Sequence, residues 1–555
     1  MLSLPIANLT ASNASLALLL LLAAYAAYRR LTRPSVKNIR GPEAPFWLGN
    51  DRDFIRQTNV GDLDFRCAQE YGNVWRMGGV FGRDILLVAD PKALQHILQK
   101  SGYNYPKDIV SSHFVRLFAG DSILYAPTGK EHVRHRKVMN PAFSAPQLRS
   151  FLPQFRDTAL KLCRLWKDQI LEGKVDGDII PVNKWLARTT LDIVGETAYH
   201  FDFGALDNSK NEVSEAYARL FAEAPSEPVV WVDLFAATWR WLPRWLLELI
   251  EYIPVDALQR LRRSRLVMNK VSTVLVDNAM EDAQTVEIEK GRKDVVSVLV
   301  RANLSENPSL QLSKHEMVSQ MAALTIAGHE TTANTLSWLL WELAKHPHLQ
   351  ERLRGEIKQK RQEVIDRVGE RVDFSLEDLE SMTFLQALLK EILRFHPIIY
   401  QIVREAGKDD ILPLSSPITT TTGEAINEVP IAKGQVIVIS ICTYNRIKSI
   451  WGEDAHEFNP SRFLDGKLEN EVKVGMYANL MTFSAGMRGC IGWKFSLIEM
   501  QAILVALIEN FEFSLPPTND EILRRPIGAM SPMVEGRQNE GVLLPLMVRA
   551  IDNSV

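Results

Sequence analysis

Apolar residues in this chain recur mostly at intervals of three and four, the spacing that places side chains on one face of a helix. The pattern is strong between Leu148 and Trp166, from Ser313 to Leu343, and from Trp493 to Leu507. Short continuous apolar runs stand between these stretches and predict strands. The predicted strands are 74–77, 85–89, 429–431 and 435–440. The pattern therefore predicts a mainly α-helical protein that carries small β-sheets.

The first residues form an apolar segment unlike the rest of the chain. Residues 1–28 contain no charged side chain, and Ala14–Tyr28 is almost wholly apolar. Basic residues follow this segment, whereas a signal peptide carries its positive charge before the apolar run. Under the positive-inside rule, the sequence predicts one transmembrane anchor at 14–30, a lumenal segment at 1–13 and a cytosolic body. A cleaved signal peptide is the alternative.

Two features flank the predicted anchor. Asn8 and Asn13 each lie in an Asn-x-Ser/Thr sequon on the lumenal side, so both are candidate glycosylation sites. Residues 31–50 are rich in basic residues and proline, and proline stiffens such a linker. We therefore expect a stiff linker at 31–50; the family resemblance described below implies that it is a hinge and that 51–555 forms a single folded domain.

Composition excludes several classes of protein. The formal net charge is −3, and nothing indicates the basic face that nucleic-acid binding requires. The cysteines lie far apart, at 67, 163, 442 and 490, and none belongs to a C-x-x-C pair. A zinc site or a disulfide framework is therefore not indicated.

One cysteine stands in an unusual loop. Phe483–Gly492 reads FSAGMRGCIG, which places Cys490 among glycines and an arginine, directly before a predicted amphipathic helix. Glycine permits tight backbone turns, so the loop can direct amide N–H groups toward the sulfur. The positive end of the helix dipole acts in the same sense, and both effects favour the thiolate, a strong ligand for iron. A buried, inert cysteine is the plainer interpretation.

The long helical stretch after Ser313 carries a second candidate site. Ser313 and Glu316 form a capping-box pattern, and the apolar periodicity continues to Leu343. Its middle, Ala327–Thr332, reads AGHETT, where glycine and paired hydroxyl side chains weaken a helix. We expect a functional kink there. The alternative is that Thr331 simply donates to the carbonyl four residues earlier.

Together these motifs resemble those of the haem-thiolate monooxygenases, the cytochrome P450 family. Phe483–Gly492 matches the family's Phe-x-x-Gly-x-Arg-x-Cys-x-Gly loop, and Phe495 and Glu499 continue its usual spacing. Ala327–Thr332 matches the family's Ala-Gly-x-Glu-Thr-Thr oxygen-binding motif. The resemblance spans nearly the whole chain, most like fungal microsomal members. It implies the cytochrome P450 fold, haem b as cofactor, and a catalytic domain on the cytosolic side of the endoplasmic reticulum membrane.

The resemblance also assigns roles to single residues. Cys490 is the expected iron ligand. The expected cofactor-binding residues around it are Phe483, Gly486, Arg488, Gly492, Ala327, Gly328, His132 and Arg136. Thr331 is expected to donate a hydrogen bond to dioxygen and Glu330 to relay protons from solvent, so these two are the catalytic candidates.

Two positions depart from the family pattern around the haem propionates. The family's Gly-x-x-Trp-x-x-x-Arg helix carries His132 in place of the tryptophan, while Arg136 matches. Residues four apart share a helix face, so both side chains can reach one carboxylate. Gln401 stands where many members carry His or Arg, and an uncharged glutamine cannot replace that contact. The resemblance leaves open what does.

Three charged residues are expected to form a structural triad. Glu391 and Arg394 share one helix face and have apolar neighbours, which indicates burial. Arg462 belongs to a Pro-x-Arg-Phe pattern at 460–463, which supplies the third partner in the family. We expect this triad to hold the segment that leads to the cysteine loop, and so to retain haem rather than to catalyse.

The resemblance places four side chains at the substrate pocket: Phe114, Phe118, Ile399 and Tyr400. It adds a loop at 528–534 to the same pocket. The polar, turn-forming segment 413–423 is expected to be a flexible surface loop. Residues 229–254 are rich in tryptophan, including Trp239 and Trp241, and predict either a second membrane contact or core packing.

The implied reaction inserts one oxygen atom from O2 into a lipophilic substrate, such as a terpenoid or sterol of secondary metabolism. No flavin or nicotinamide fingerprint is present, so a separate NADPH-cytochrome reductase must supply electrons. Arg134, Lys137 and Lys494 are candidates for its docking face. Two alternatives remain: a haem-thiolate isomerase or dehydratase that does not use O2, and a non-catalytic membrane haem-binding protein.

Overall fold

Helices dominate the part of the chain that the computed structural model describes, which is 34–207, 230–284, 294–303, 311–464, 466, 472–518 and 520–551. The apolar spacing thus predicts the main class of structure correctly. The α-helices are α1 Asp51–Ile55, α2 Asp62–Tyr71, α3 Pro91–Gln95, α4 Ile109–Ala119, α5 Gly129–Met139, α6 Ala145–Ser150, α7 Leu152–Leu165, α8 Val182–Tyr199, α9 Val230–Thr238, α10 Arg244–Leu247, α11 Asp256–Gln284, α12 Val295–Asn303, α13 Lys314–Lys345, α14 Pro347–Val368, α15 Leu376–Ser381, α16 Thr383–Phe395, α17 Ile441–Tyr444, α18 Lys448–Trp451 and α19 Trp493–Asn510.

Small sheets lie among these helices. Their strands are β1 Val74–Gly79, β2 Arg83–Val88, β3 Asp178–Pro181, β4 Gln401–Glu405, β5 Asp410–Thr419, β6 Ala425–Ile431, β7 Val436–Ser440, β8 Phe511–Ser514, β9 Ile522–Ile527, β10 Ala529–Val534 and β11 Pro545–Ala550. One sheet has the order β1-β2-β7-β4, with β2 and β7 parallel, and a second has the order β3-β11-β8. The four predicted strands match β1, β2, β6 and β7, with only Ala89 and Gln435 lying one residue outside, and are confirmed.

The central helix, α13, is the longest helix among the described residues and organises the core. Its 32 residues span about 48 Å. The Ser313 hydroxyl accepts from the Glu316 N–H while the Glu316 carboxylate accepts from the Ser313 N–H, so the predicted capping box is confirmed. The helix packs against α8, α11 and α19.

The expected kink in α13 does not interrupt the helix, which is continuous through Gly328. A Cβ at this position would lie 3.0 Å from the Val194 Cγ2 of α8. The glycine therefore allows two helices to pack closely, which explains why its cost in helix stability is tolerated.

Two segments that the sequence predicted as loops are strands. Residues 413–423 belong to the β5–β6 hairpin, whose turn uses Gly423 at φ 83°. Leu412, Leu414 and Ile418 face inward, so a period-two pattern lies beneath the Ser, Thr and Pro composition. Residues 529–534 form β10, paired with β9, rather than a loop.

No helix in the described ranges is long and apolar enough to cross a bilayer. The predicted anchor at 14–30, the lumenal segment and the sequons at Asn8 and Asn13 lie outside those ranges.

Candidate functional site

The loop that carries Cys490 contains two short 3₁₀ turns, Met481–Phe483 and Gly486–Arg488. It closes where the Cys490 N–H donates to the Phe483 carbonyl at 2.9 Å. Gly486 has φ 65°, and a Cβ there would lie 1.8 Å from the Leu98 carbonyl oxygen. Only glycine fits this position. Gly492 is the N-cap of α19, so the helix starts just beyond the sulfur.

Cys490 has accessible surface, whereas Cys67, Cys163 and Cys442 are buried. Burial in surrounding protein raises the pKa of the Cys490 thiol and outweighs the Gly492 N–H and the Arg136 charge, which both lower it. The expected stabilisation of the thiolate by the loop is thus present but insufficient by itself. A bound metal ion deprotonates a coordinating thiol, so this sulfur suits a metal ligand.

One face of α13 is only partly buried in its middle. Leu324, Ala327, Gly328 and Thr331 keep accessible surface, while most of the helix around them is buried. Their spacing of three and four puts them on one side of the helix. Ile491, next to Cys490, packs against the same apolar cluster as Leu324. The AGHETT motif and the cysteine loop are therefore brought together.

Thr331 and Glu330 occupy different environments on this helix. The Thr331 hydroxyl donates to the Ala327 carbonyl at 2.7 Å, as in the alternative considered above, yet its lone pairs remain available to accept another bond. The Glu330 carboxylate lies 3.5 Å from both the His329 Nε2 and the Asn334 amide nitrogen. Its side chain is 18% exposed, so it can exchange protons with solvent.

The three residues of the predicted triad meet in the core. Glu391 and Arg394 are fully buried and joined by two bonds, at 2.7 and 2.8 Å, and the Arg462 Nε lies 3.1 Å from Glu391. Asp454 pairs with Arg462 at 2.9 Å. The sequence motif did not reveal this fourth member, which brings the formal charge of the cluster to zero.

His132 and Arg136 lie on one face of α5 but do not share an acceptor. The Tyr103 hydroxyl lies 2.9 Å from the His132 Nδ1, and burial, followed by the charges of Arg488 and others, lowers the pKa of His132 to about 3. Arg136 donates instead to the Gly489 carbonyl at 2.9 Å, beneath the cysteine loop. His132 is therefore neutral, and Arg136 supports the loop directly.

Arg404, which is buried, and Arg488, which is partly buried, are cations that suit a haem with two carboxylates. Arg488 Nη2 donates to the Ala126 carbonyl at 3.3 Å, while its buried Nη1 has no partner in the described chain. Burial, with the charge of Arg488, lowers the pKa of Arg404 to about 10, so the two guanidinium groups lie close enough to repel. Such an uncompensated pair needs an anion.

Arg404 is the functional residue that the sequence analysis missed. It lies on β4, three residues after Gln401, and is buried, whereas Gln401 is only partly so. Successive side chains of β4 point to opposite faces of the sheet, so Gln401 and Arg404 face opposite sides. A motif position alone does not say which of the two faces the cofactor. An arginine directly after the apolar pair Ile402 and Val403 was the available signal.

The expected pocket residues divide into two groups. Phe114 and Phe118 are half-buried on α4, and Ile399 is 37% exposed. Tyr400 is a correction, because it is buried in the core next to Asp64 and Cys442. The Met530 N–H of β10 donates to the Ile398 carbonyl at 2.8 Å, beside this segment.

The candidate docking residues also need one correction. Arg134 forms an ion pair with Glu316 at the start of α13 and donates to the Gln311 carbonyl, so it is engaged within the fold. Lys137 and Lys494 are exposed.

Comparison with known proteins agrees with this site. The family described as Cytochrome P450 matches residues 39–532. Cytochrome P450 monooxygenase 205 of Postia placenta is 30% identical over 524 residues, 93% of each chain. The ganoderic acid synthetase of Ganoderma lucidum is 34% identical over 505 residues, covering 88% of this chain and 90% of that protein. Cytochrome P450 monooxygenase claQ of Ampulloclitocybe clavipes is 29% identical over 520 residues, 93% of each chain. The resemblance is confirmed, and the chain belongs to the cytochrome P450 family of haem-binding monooxygenases.

Proposed function

We propose that the protein inserts one oxygen atom from O2 into a lipophilic substrate, using electrons from a separate NADPH-cytochrome reductase. The observation that carries this proposal is the exposed Cys490 at the end of a closed loop, together with the buried Arg404 and the partly buried Arg488, whose Nη1 has no partner in the described chain. This donor set suits haem b: Cys490 would hold the iron, and the two arginines would hold propionates. Haem bound through a thiolate supplies the oxygen-activating chemistry, because thiolate donation favours O–O cleavage.

The protein's own task is to deliver protons and exclude water. Thr331 has its hydroxyl on the pocket face of α13, where it can pass a proton to dioxygen while its own oxygen accepts another. Glu330, partly exposed beside His329, is placed to take protons from solvent. Because Glu330 and Thr331 are adjacent in sequence, a proton taken up from solvent by Glu330 can pass to Thr331 at the pocket.

The pocket lining supports a lipophilic substrate. The residues that we assign to this lining are apolar and keep accessible surface: Phe114, Phe118, Leu324, Ile399 and Ile491. Apolar surfaces of this kind bind terpenoids, sterols or similar molecules by burial. The relative named ganoderic acid synthetase supports a place in secondary metabolism.

Two surface features support our proposals for the location of the protein and for its contact with the reductase. Phe46, Trp47, Phe81 and Trp241 form a chain of contacting rings, with centroids 5.4 to 6.4 Å apart, and Phe46, Trp47 and Trp241 are mostly exposed. Tryptophan at a surface favours the membrane interface. We place this aromatic patch against the endoplasmic reticulum membrane, with the predicted anchor alongside. The exposed Lys137 and Lys494 are candidates for contact with the reductase.

The full chain, expressed in microsomes with a fungal NADPH-cytochrome reductase, tests the proposal. The reduced protein with carbon monoxide should absorb as a thiolate-ligated haem, and Cys490→His should keep haem but lose oxygenation. Thr331→Ala should lower product formed per NADPH by roughly tenfold or more and raise hydrogen peroxide, because the proton donor is removed.

Thr335→Ala is the matched control, since its hydroxyl lies one turn further along α13 and donates to the Thr331 carbonyl at 2.8 Å. If Thr331→Ala forms as much product per NADPH as the native protein, Thr331 is not the proton donor to dioxygen. Turnover of a peroxide substrate without NADPH would instead identify an isomerase or dehydratase.

A further inference from the structure

His329 fills the one position of the Ala-Gly-x-Glu-Thr-Thr motif that the family pattern leaves open. Its side chain is 2% exposed, against 18% for the neighbouring Glu330. A buried polar side chain needs hydrogen-bond partners inside the protein. The partners of His329 therefore indicate what holds this part of α13 in place.

The ring of His329 is oriented by a hydrogen bond within α13. Its Nδ1 lies 2.6 Å from the Thr325 carbonyl oxygen. Because a carbonyl oxygen can only accept, Nδ1 carries the hydrogen and donates it. This bond leaves Nε2 turned toward Glu330, whose carboxylate oxygen lies 3.5 Å away. The orientation of the His329 ring therefore influences where the Glu330 carboxylate lies.

The turn of α13 that supplies this carbonyl is held by Tyr199, at the end of α8. The Tyr199 hydroxyl donates to the Met321 carbonyl at 2.7 Å and lies 2.6 Å from the Thr325 hydroxyl. Tyr199 and Thr325 are both buried. Burial raises the pKa of Tyr199, so its hydroxyl keeps the proton that it donates. One side chain of α8 thus fixes the turn of α13 directly before the motif.

A second side chain of α8 reaches the backbone of His329 itself. The Thr190 hydroxyl is fully buried and lies 3.0 Å from the His329 carbonyl oxygen. It is equally close to the Leu186 carbonyl of its own helix, so its hydrogen is shared between the two helices. Among the described residues, the neighbouring Thr189 hydroxyl, also fully buried, contacts only the Trp185 carbonyl of its own helix. The bond across the helices is therefore particular to Thr190.

We propose that α8 positions the AGHETT motif by holding His329 from two sides, through Thr190 and Tyr199. Thr190 fixes the His329 carbonyl, while Tyr199 fixes the turn to which the His329 ring is bonded. The ring in turn orients the Glu330 carboxylate for proton transfer. This inference rests on the proposed function, in which Glu330 takes protons from solvent. Thr190, Tyr199 and His329 are positioning residues and take no part in the reaction itself.

Hydrogen–deuterium exchange of the full-length holoprotein, read by mass spectrometry, tests whether α8 holds the motif. Thr190→Val removes the hydroxyl from a side chain of similar shape, and amides in 327–335 should exchange about fivefold faster, the order of factor that one hydrogen bond contributes. Thr190→Ser keeps a hydroxyl and should exchange as native. Thr189→Val is the matched control, because it removes an equally buried hydroxyl one residue away, and should also exchange as native.

A comparison of two oxidants separates proton delivery from general support of the fold. In microsomes with the reductase, and with the terpenoid or sterol that the native protein oxidises, Thr190→Val should form about fivefold less product per NADPH and more hydrogen peroxide. With cumene hydroperoxide, which supplies oxygen, electrons and proton together, its product should equal that of native. An equal loss with the hydroperoxide would show a general structural defect and overturn the inference. Tyr199→Phe removes the second hydroxyl and should give the same results, including where Thr190→Val does not fold.

The two proposals fail in different ways. If native protein oxidises its substrate with NADPH, but Thr190→Val matches Thr189→Val in amide exchange or in product per NADPH, the inference alone is overturned. If native protein forms no product from NADPH and O2, both are overturned.

Discussion

Glu499 is a fully buried acid on α19, and neither of its carboxylate oxygens has a hydrogen-bond partner in the described structure. The Thr332 hydroxyl of α13 lies nearby and is also unpartnered. Burial raises the pKa of Glu499 well above its usual value, although the Thr332 hydroxyl acts in the opposite direction. The residue is therefore neutral inside the protein at pH values where an unfolded glutamate is ionised.

This neutral acid makes stability depend on pH. Above about pH 4.5, the unfolded chain releases a proton that the folded chain keeps, so stability falls as pH rises, by up to about 1.4 kcal/mol per pH unit. Glu499→Gln removes this loss. We expect its unfolding temperature, relative to native, to increase between pH 5 and pH 8. Glu370→Gln, a variant at an exposed position, is the control, and its unfolding temperature should equal that of the native protein at every pH. If the unfolding temperatures of Glu499→Gln and native change with pH in parallel, Glu499 is not a neutral acid in the folded protein.

Single residues also show where sequence reasoning reaches its limit. Cys490, Thr331 and Gly486 were identified by motifs whose chemistry is local, and the structure brings them to one region. Arg404 was not, because its burial depends on pairing between segments far apart in sequence. Tyr400 was misplaced because apolar composition does not say which way a side chain points in extended backbone.

At the level of elements, the triad joins α16 to the turn at Pro460–Phe463. Arg394 also donates to the Asn445, Ala455 and Glu457 carbonyls at 2.6 to 2.9 Å, so one buried side chain holds several backbone segments. Glu391 further accepts from the Asn459 N–H at 2.7 Å. These bonds satisfy a charged cluster that would otherwise be costly to bury.

Removing the Glu391 carboxylate should therefore destabilise the protein strongly. Glu391→Gln leaves Arg394 and Arg462 buried with only Asp454 to balance them, and we expect a loss of about 3–5 kcal/mol of stability and poor haem incorporation. Asp454→Asn should cost less, because Asp454 is 34% exposed. Denaturant unfolding and the ratio of haem to protein absorbance measure both effects.

Glu453→Gln, on a side chain that is 88% exposed, controls for charge alone and should be neutral. A folded Glu391→Gln variant with native haem content would show that the cluster is not needed for haem retention.

At the level of the whole molecule, the aromatic patch marks one face. The sequence proposed Trp239 and Trp241 for membrane contact, but Trp239 is buried and packs against Phe114 at 4.8 Å between ring centroids. Trp241 and Trp245 are each 65% exposed. Core packing is thus confirmed for Trp239, while membrane contact by the exposed Trp241 and Trp245 stays a prediction.

Substituting the exposed pair should weaken membrane binding. In a chain that starts at residue 34, Trp241→Glu with Trp245→Glu should reduce binding to neutral phosphatidylcholine vesicles by tenfold or more, because two charges enter the interface, at about 1 kcal/mol or more each. Val175→Glu with Val368→Glu places the same charges on exposed apolar positions outside the patch. Equal vesicle binding by both double variants would show that the patch does not face the membrane.

The overall fold was predictable in class but not in arrangement. Apolar spacing and the capping box located α13 closely, because helical patterns are local. The β5–β6 hairpin was missed, since its Ser, Thr and Pro content hides the alternation of buried positions. The pairing of β2 with β7 and the position of β11 depend on contacts across the whole chain, which no local pattern encodes.

This strand order also determines how the polypeptide must be made. β2 leaves the ribosome hundreds of residues before β7, its parallel neighbour, and β3 waits for β11 to complete its sheet. Until those partners emerge, the early strands expose unsatisfied edges that bind other extended chains. We therefore expect chaperones to shield the nascent chain, and we expect a nonsense mutation just before Pro545 to yield a product that is cleared by proteolysis rather than a slower catalyst.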